Sequence, residues 1–541
     1  MLKRLFICLL AAAVLLCTLP STVLAASTLY GDVDNNGTVD DWDSVTLSRF
    51  LANWSNITLE QTNSDVDGDG NINDWDSILL ARYLANWDII LGPEEFEITI
   101  NGAAIENFVI VTPENATLYE QYAAVVLKDH LEDHYGVILN IVSDTQAESN
   151  YELLIGNTNR AASKAHSNVS MGEMQYYLCA ETSGSDVKIV MLGNNIMVGG
   201  ATSALVNNYI EANRGNVTIP SGDSAQVETF TFLPAKNAII MIGDGMGINH
   251  VELGEHGFTA GFNMEEEIDG DFVGKYFTAV GECTTLNASG EITDSAAAAT
   301  ALSSGYKTNN YRVGCDVNGT PHQNIFDLAK TQQAKAAIIT TDIATGATPS
   351  GFTVHVEDRN DTEEIQRQHD LLDLDYFAAD VGDELQAKTR EALRNISTGD
   401  SFYMMVEEGM IDKAADSEDT PSRERAANVG KYVVRLHNCA AYVTEFVLMN
   451  PDTILIITAD HETGMYGYRY NENIDLHIFY SLDGTSHTNR NVPVYALGAG
   501  TEIFDGTTTD NVLIGRFMAA VWGAEDFNAD VPTTVTEQPA A

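Results

Sequence analysis

Three things are scarce in this 541-residue chain: basic residues, cysteine and long apolar runs. Lys and Arg number 28 against 78 Asp and Glu, for a formal net charge of −50. Phosphate backbones are held by Lys and Arg, so this balance argues against a nucleic-acid partner and against anionic membranes. It suits a soluble, secreted protein that binds cations. Of the six cysteines, Cys8 and Cys17 fall in the first 25 residues. Cys179, Cys283, Cys315 and Cys439 remain, widely spaced and with no CxxC pattern, so no zinc–thiolate site is expected. Cys283 and Cys315 could pair in an oxidising compartment. The one long apolar run, Leu5 to Leu16, follows Lys3 and Arg4 and precedes Val23-Leu24-Ala25. Residues 1–25 therefore read as a signal peptide rather than an anchor, and no later stretch is long enough to span a bilayer.

Roughly three or four domains are expected at this length. The first is a repeat. Asp32-Val33-Asp34-Asn35-Asn36-Gly37-Thr38-Val39-Asp40-Asp41-Trp42-Asp43 recurs 33 residues later as Asp65-Val66-Asp67-Gly68-Asp69-Gly70-Asn71-Ile72-Asn73-Asp74-Trp75-Asp76. Oxygen side chains stand at positions 1, 3, 5, 9 and 12, with glycine at 6. Position 7, Thr38 or Asn71, offers a backbone carbonyl. This is the spacing of a twelve-residue calcium loop closed by Asp. Leu47, Phe50, Leu51 and Trp54 recur as Leu80, Tyr83, Leu84 and Trp87, a helical stripe after each loop.

Residues 28–91 thus resemble a type I dockerin. The resemblance implies an all-α module with two calcium ions that plugs into a cohesin domain of a scaffold, as in cellulosomes. Its carboxylates repel one another without metal, so folding should require calcium. In that family loop positions 10 and 11 help choose the partner; here they are Asp41-Trp42 and Asp74-Trp75.

After Gly92-Pro93, residues 95–232 read as a small α/β domain. Strands are expected at Phe96–Ile100, Phe108–Val111, Val137–Ile141, Tyr151–Ile155, Val187–Leu192 and Ile196–Val198. Helices are expected at Ala116–Tyr135 and Ser203–Ala212. The domain weakly resembles a noncatalytic module found ahead of several carbohydrate-active enzymes. His130, Glu132, Asp133 and His134 read as a solvated helix face, so no site is assigned there.

Chemistry gathers from residue 236 onward. Ser295, in Thr293-Asp294-Ser295-Ala296-Ala297-Ala298-Ala299-Thr300, precedes a run of helix formers and so sits at a helix N-terminus, where free N–H groups favour an anion. Asn237–Ile242 reads as a buried strand ending in Gly243-Asp244-Gly245-Met246-Gly247. Ile454–Thr458 delivers Asp460-His461, and Phe402–Val406 leads to Glu407 and Asp412. His487 precedes a fourth strand, Val492–Leu497. Acids and histidines at several strand ends are where α/β sheets place ligands.

These motifs, with Ala347-Thr348-Pro349, His355-Val356-Glu357-Asp358-Arg359 and Ile411-Asp412-Lys413, resemble alkaline phosphatase in order and spacing. The resemblance covers 236–522 and implies a three-layer α/β/α catalytic domain over 236–527, ahead of a disordered 528–541 tail. It implies hydrolysis of phosphate monoesters through a phosphoserine at Ser295. Asp244, Asp460 and His461 would hold one zinc ion. Asp412, Asp416 and His487 would hold a second, and Asp244, Thr348 and Glu407 a magnesium. Arg359 would grip the phosphoryl group, and Lys413 would add positive charge nearby. From spacing alone, Arg359 would instead pair with Asp358 or Asp361. The family is often a homodimer.

Two positions depart from the family pattern. Asp416 stands where the second metal site has histidine, which shifts the site toward harder divalent ions. Gly346 stands where Asp or His often supports the third ion. The other readings are a phosphodiesterase or sulfatase of the same superfamily, or a catalytically impaired metal-binding scaffold component.

Overall fold

The computed structural model describes residues 29–52, 54, 57–66, 71–85, 91, 97–480, 484–524 and 527–528. Residues 1–25, expected as a signal peptide, lie outside the described residues, as do Asp67, Asp69, Trp87, Gly92-Pro93 and the tail from 529. The chain divides between Glu95 and Phe96 into two compact units.

The N-terminal unit contains helices Asp41–Leu51 and Asp74–Leu84 with the short helix Gln61–Ser64 between them. Its first loop is tied by its own carboxylates. Asp32 accepts from the Asn36 and Gly37 amides at 2.9 and 2.8 Å, and Asp43 accepts from the Asp34 amide at 3.1 Å. Gly37, at φ +90°, makes the turn that position 6 requires. Oxygens of Asp32, Asp34 and Asp43 come within 4.8 Å of one another. In the second loop Asp76 accepts from the Val66 and Asn73 amides at 2.6 and 2.8 Å, repeating the closing role of Asp43. Val33, Leu47, Val66 and Leu80 form the small core. The apolar stripe is not buried throughout: Phe50, Trp54 and Tyr83 are exposed.

The second unit holds two large sheets. The first has the order Ile141–Ser143, Val109–Thr112, Tyr151–Ile155, Asp186–Gly193, Gln175–Ser183, Val227–Thr229. Its first four strands are parallel, and Gln175–Ser183 runs antiparallel to both neighbours. Ile196–Val198, expected as a strand, instead opens the helix Met197–Ser203. Asn195, at φ +48°, turns the chain there, and Gly199 lets the helix approach Glu445. Residues 137–140, also expected as strand, form none, and strand pairing begins at Ile141. The face expected to be solvated is partly a packing surface. His130 and Asp129 are buried, Arg390 grips Asp129 at 2.7 and 2.6 Å, and Arg394 holds Asp133.

The second sheet has eight strands in the order Tyr376–Ala378, Lys335–Thr340, Phe402–Glu408, Asn237–Gly243, Thr453–Thr458, Val492–Leu497, Ala279–Thr284, Thr508–Asp510. The first five are parallel. Asn237–Gly243, Phe402–Glu408, Thr453–Thr458 and Val492–Leu497 are buried at every position, as strands covered on both faces must be. Helices pack in two groups, Ile248–His256, Leu385–Ile396, Met410–Ala415 and Ser422–Met449 in one, Ser295–Ser304, Ile325–Thr331, Ala347–Thr353 and Val512–Ala520 in the other. The result is an α/β/α sandwich. Helix Ser422–Met449 also packs on Leu118–Tyr135 and Met197–Ser203, so one continuous apolar core runs through both sheets.

Register sets the site. Ile242 pairs with both Glu407 and Thr458, and Thr340 pairs with Glu407. Asp244, Glu407 and Asp460 therefore emerge together at the C-terminal edge of the parallel strands. The four described cysteines are buried and unpaired, so Cys283 and Cys315 form no disulfide. No helix among the described residues is long and apolar enough to cross a membrane.

Candidate active site

Ser295 is the first residue of helix Ser295–Ser304. Asp294 caps that helix, accepting from the Ala297 amide at 3.0 Å. Its other carboxylate oxygen accepts from the Tyr311 amide at 3.0 Å and from Arg359 Nη1 at 3.2 Å. Arg359 is thus held beside Ser295, not by Asp358 or Asp361. Among the described residues Asp294 is its side-chain partner, which leaves most of its donor fork free.

Ser295 Oγ lies 3.2 Å from His461 Nε2. That nitrogen also lies 3.5 Å from Asp244 Oδ1 and 3.3 Å from Asp460 Oδ2. The hydrogen bonds on the far side of the ring fix its tautomer. Thr463 Oγ1 donates to Asp412 Oδ1 at 2.5 Å, so it accepts from His461 Nδ1 at 3.2 Å. The proton is on Nδ1, and Nε2 turns a lone pair toward the carboxylates. Burial lowers the pKa of His461, against the pull of the Asp460 and Asp412 charges. Asp460 Oδ1 accepts from the amides of Gly245 and His461, each at 3.0 Å, which leaves Oδ2 to face the group. Gly245 sits at φ +75°, with room for no side chain against Thr463 and Asp412.

A second group adjoins the first. Asp412, His461 and His487 also bring ligand atoms within 4.8 Å of one another, and the two imidazole rings stack at 3.6 Å. His487 reaches the group because Thr463 and His487 are paired across a two-stranded hairpin. Its Nδ1 donates to the Thr293 carbonyl at 3.0 Å, and Nε2 faces Asp412 Oδ1 at 3.5 Å. Asp416 stands outside this trio, exposed at the end of helix Met410–Ala415. Desolvation and the Asp412 charge raise its pKa.

The third expected set lies deeper. Glu407 is buried, accepts from Thr340 Oγ1, and has its pKa pushed up to about 8 by desolvation and then by Asp342. Desolvation raises Asp244 well above the usual carboxylate range, with Asp460, Asp412 and Glu407 adding to it. Asp342 is a residue that the sequence reading missed. Its Oδ2 lies 2.5 Å from where a Cβ on Gly346 would stand, so this carboxylate fills the space that a side chain at 346 would take. It also pairs with Lys413, whose side chain is 45% exposed, so the Lys413 charge is spent first on Asp342. Thr293, Thr463 and His250 were missed as well. His250 braces the hairpin through a 2.8 Å contact to the Thr463 carbonyl.

The arrangement fits divalent cations. Asp244 Oδ1 and Asp460 Oδ2 are buried with no hydrogen-bond partner among the described residues, and Glu407 Oε1 and Thr348 Oγ1 are buried beside each other. Orphaned oxygens at such density are costly unless a cation satisfies them. His461 Nε2 faces Asp244 and Asp460, and His487 Nε2 faces Asp412. Oxygen and imidazole donors together suit zinc-class ions, while the all-oxygen third set suits a harder ion.

Residues 235–381 match the family model described as alkaline phosphatase, and residues 30–85 match the dockerin type I domain model. The first match contains Asp244, Ser295, Thr348 and Arg359; the residues from Glu407 onward lie beyond it. Alkaline phosphatase 4 of Bacillus subtilis (strain 168) is 32% identical over 138 residues, 25% of this chain and 29% of the relative. The alkaline phosphatase of Escherichia coli (strain K12) is 34% identical over 163 residues, 27% of this chain and 33% of the relative. The aligned stretch thus spans about a third of those relatives' length. The solved alkaline phosphatase from the Antarctic bacterium TAB5 is 22% identical, covers 54% of this chain and 98% of its own, and superimposes with a TM-score of 0.45.

Proposed function

We propose that this chain, whose segments match the alkaline phosphatase and dockerin type I families, is a secreted metal-dependent phosphomonoesterase carried on a calcium-folded docking module. The observation that carries this reading is the contact of Ser295 with His461, the one residue common to both ligand groups. Asp244, Asp460 and His461 would hold one zinc-class ion, and Asp412 and His487, with Asp416 nearby, a second. Thr348, Glu407 and Asp244, with Asp342 close by, would hold magnesium. When bound, such ions lower the pKa of a neighbouring hydroxyl and neutralise charge on phosphoryl oxygens.

The chain's own residues do the rest. Ser295 gives up its hydroxyl proton to solvent as Oγ attacks phosphorus from a helix N-terminus whose free amides and partial positive charge favour the incoming anion. The ester P–O bond breaks as the Oγ–P bond forms, and the departing alkoxide takes a proton from water. Arg359 presents its planar fork to two phosphoryl oxygens, oriented by Asp294. Water then cleaves the phosphoserine, returning the Ser295 hydroxyl and releasing inorganic phosphate. Lys413 acts at one remove, through Asp342.

For the first module we propose a cohesin partner. Trp42, Val45 and Phe50 on one helix, and Ile78 and Tyr83 on the other, are large apolar side chains left exposed. Trp42, at loop position 11, is 63% exposed. Such side chains are what a protein partner would cover.

The test is hydrolysis of a chromogenic aryl phosphate by the full chain. Turnover should vanish with a chelator and with Ser295→Ala. A strong preference for an aryl diester or aryl sulfate in a side-by-side assay would overturn the monoester reading.

A further inference from the structure

A second donor cluster lies in the six-stranded sheet, far from the chemistry above in both sequence and fold. Alternation along Gln175–Ser183 puts Tyr177, Cys179 and Glu181 on one face. The short helix Ala161–His166 ends over that face and delivers His166. Ligand atoms of His166, Cys179 and Glu181 all lie within 4.8 Å of one another. From these residues we propose a further, structural metal site that binds one zinc-class divalent cation through His166, Cys179 and Glu181.

The proton inventory favours a cation there. Tyr177 donates its hydroxyl proton to the Gly222 carbonyl at 3.2 Å, and its oxygen lies 3.3 Å from His166 Nδ1. The hydroxyl oxygen is therefore the acceptor, and Nδ1 carries the ring proton. His166 Nε2 then faces Glu181 Oε1 at 2.8 Å. Two lone pairs that close need a positive charge between them, either a second ring proton or a metal ion. Cys179 packs in the apolar cluster under this face beside Tyr177, and its sulfur adds a third donor within 4.8 Å of the other two. A tyrosine that fixes the tautomer from behind is the outer support that metal-binding histidines have.

The surroundings fit a small ion. Gly222 closes over the cluster, and a Cβ there would stand 2.4 Å from Glu181 Oε1 and 2.6 Å from His166 Nε2. The missing side chain leaves space beside both donor atoms. Cys179 is fully buried, whereas the Glu181 side chain is 40% exposed, so water can enter as a fourth ligand from that edge. At the tetrahedral angle two zinc bonds of about 2.0–2.3 Å set their donors roughly 3.3–3.8 Å apart, so His166 Nε2 and Glu181 Oε1 would part slightly from 2.8 Å while the Cys179 sulfur closes in. Burial pushes the free thiol up to about 11. Binding therefore breaks the Cys179 S–H bond and releases that proton to solvent; no electron is transferred. The ion would clamp helix Ala161–His166 and the 220–222 segment onto the sheet.

The test is a cobalt(II) titration of the full-length, metal-stripped chain. Thiolate-to-cobalt charge-transfer absorption reports a Cys ligand, and the proposed catalytic and calcium ligands include no cysteine. The wild type should develop the band. C179S should lose it, bind one equivalent fewer of cobalt, and keep its aryl phosphatase activity. H166Q carries the same expectation should C179S fail to fold. A wild type that shows no charge-transfer band at saturating cobalt would overturn the proposal, leaving His166 and Glu181 as an ion pair only. So would a band that survives in C179S.

Discussion

Removing the divalent ions and then raising the pH should strain the catalytic sandwich in a defined way. Glu407 and Asp244 are buried among other carboxylates, and both hold their protons far above the usual range. For Glu407 the change is from an ordinary 4.5 to about 8, caused chiefly by desolvation. A carboxyl whose pKa is raised by folding stabilises the fold most below its unfolded pKa, and that stability is lost as pH rises through the folded one. The loss for Glu407 is on the order of 5 kcal/mol between about pH 4 and pH 9. At about 1 °C per kcal/mol for a unit of this size, the melting temperature should fall by about 5 °C. The acidic surface adds a slope of its own, so the informative comparison is with Glu407→Gln, which keeps the shape and removes the titration. Both proteins would be stripped of metal, given back calcium alone, and melted by circular dichroism across this range. Stripped wild type should lose stability much more steeply than stripped Glu407→Gln, and zinc with magnesium should flatten the wild-type curve. Parallel curves for the two stripped proteins would refute the argument that Glu407 is a metal-poised carboxyl.

Other perturbations have distinct readouts. Arg359→Lys keeps a charge but loses the fork, and kcat/KM should fall about 10- to 100-fold, the worth of one charge-assisted hydrogen bond. Asp294→Ala removes a helix cap worth about 1 kcal/mol, and it also frees Arg359, so activity should fall more than stability does. Calcium removal should unfold the N-terminal module, seen as a loss of helical circular dichroism that calcium restores; a spectrum indifferent to the chelator would contradict the loop assignment.

The site was more legible than the scaffold around it. Asp244, Glu407, Asp460 and His461 stand at the ends of uniformly apolar strands, and such runs are easy to read. The structure brings them together because the strands are parallel and in register. Asp342 stands just past the strand Lys335–Thr340, and only the folded turn sets its carboxylate in the space beside Gly346. Thr463 and Thr293 were not readable, since they act by fixing histidine tautomers across the fold. The partner of Arg359 was hidden for the same reason: Asp294 is distant in sequence and adjacent in space. Ile196–Val198 misled because three apolar residues after Asn194-Asn195 fit a strand as well as a helix. Only the packing of Gly199 on Glu445 separates the two. The cluster at His166, Cys179 and Glu181 has no metal-binding spacing at all and exists only once the sheet is assembled.

The central claim is that Ser295 accepts the phosphoryl group. Its most direct test is an acid quench of the metal-replete enzyme during turnover of an aryl phosphate, followed by mass spectrometry of the peptide containing residues 293–300. A phosphorylated peptide with the modification on Ser295, absent from Ser295→Ala, is the predicted result. Full turnover with that peptide never modified, or with the phosphoryl group on another residue, would contradict it.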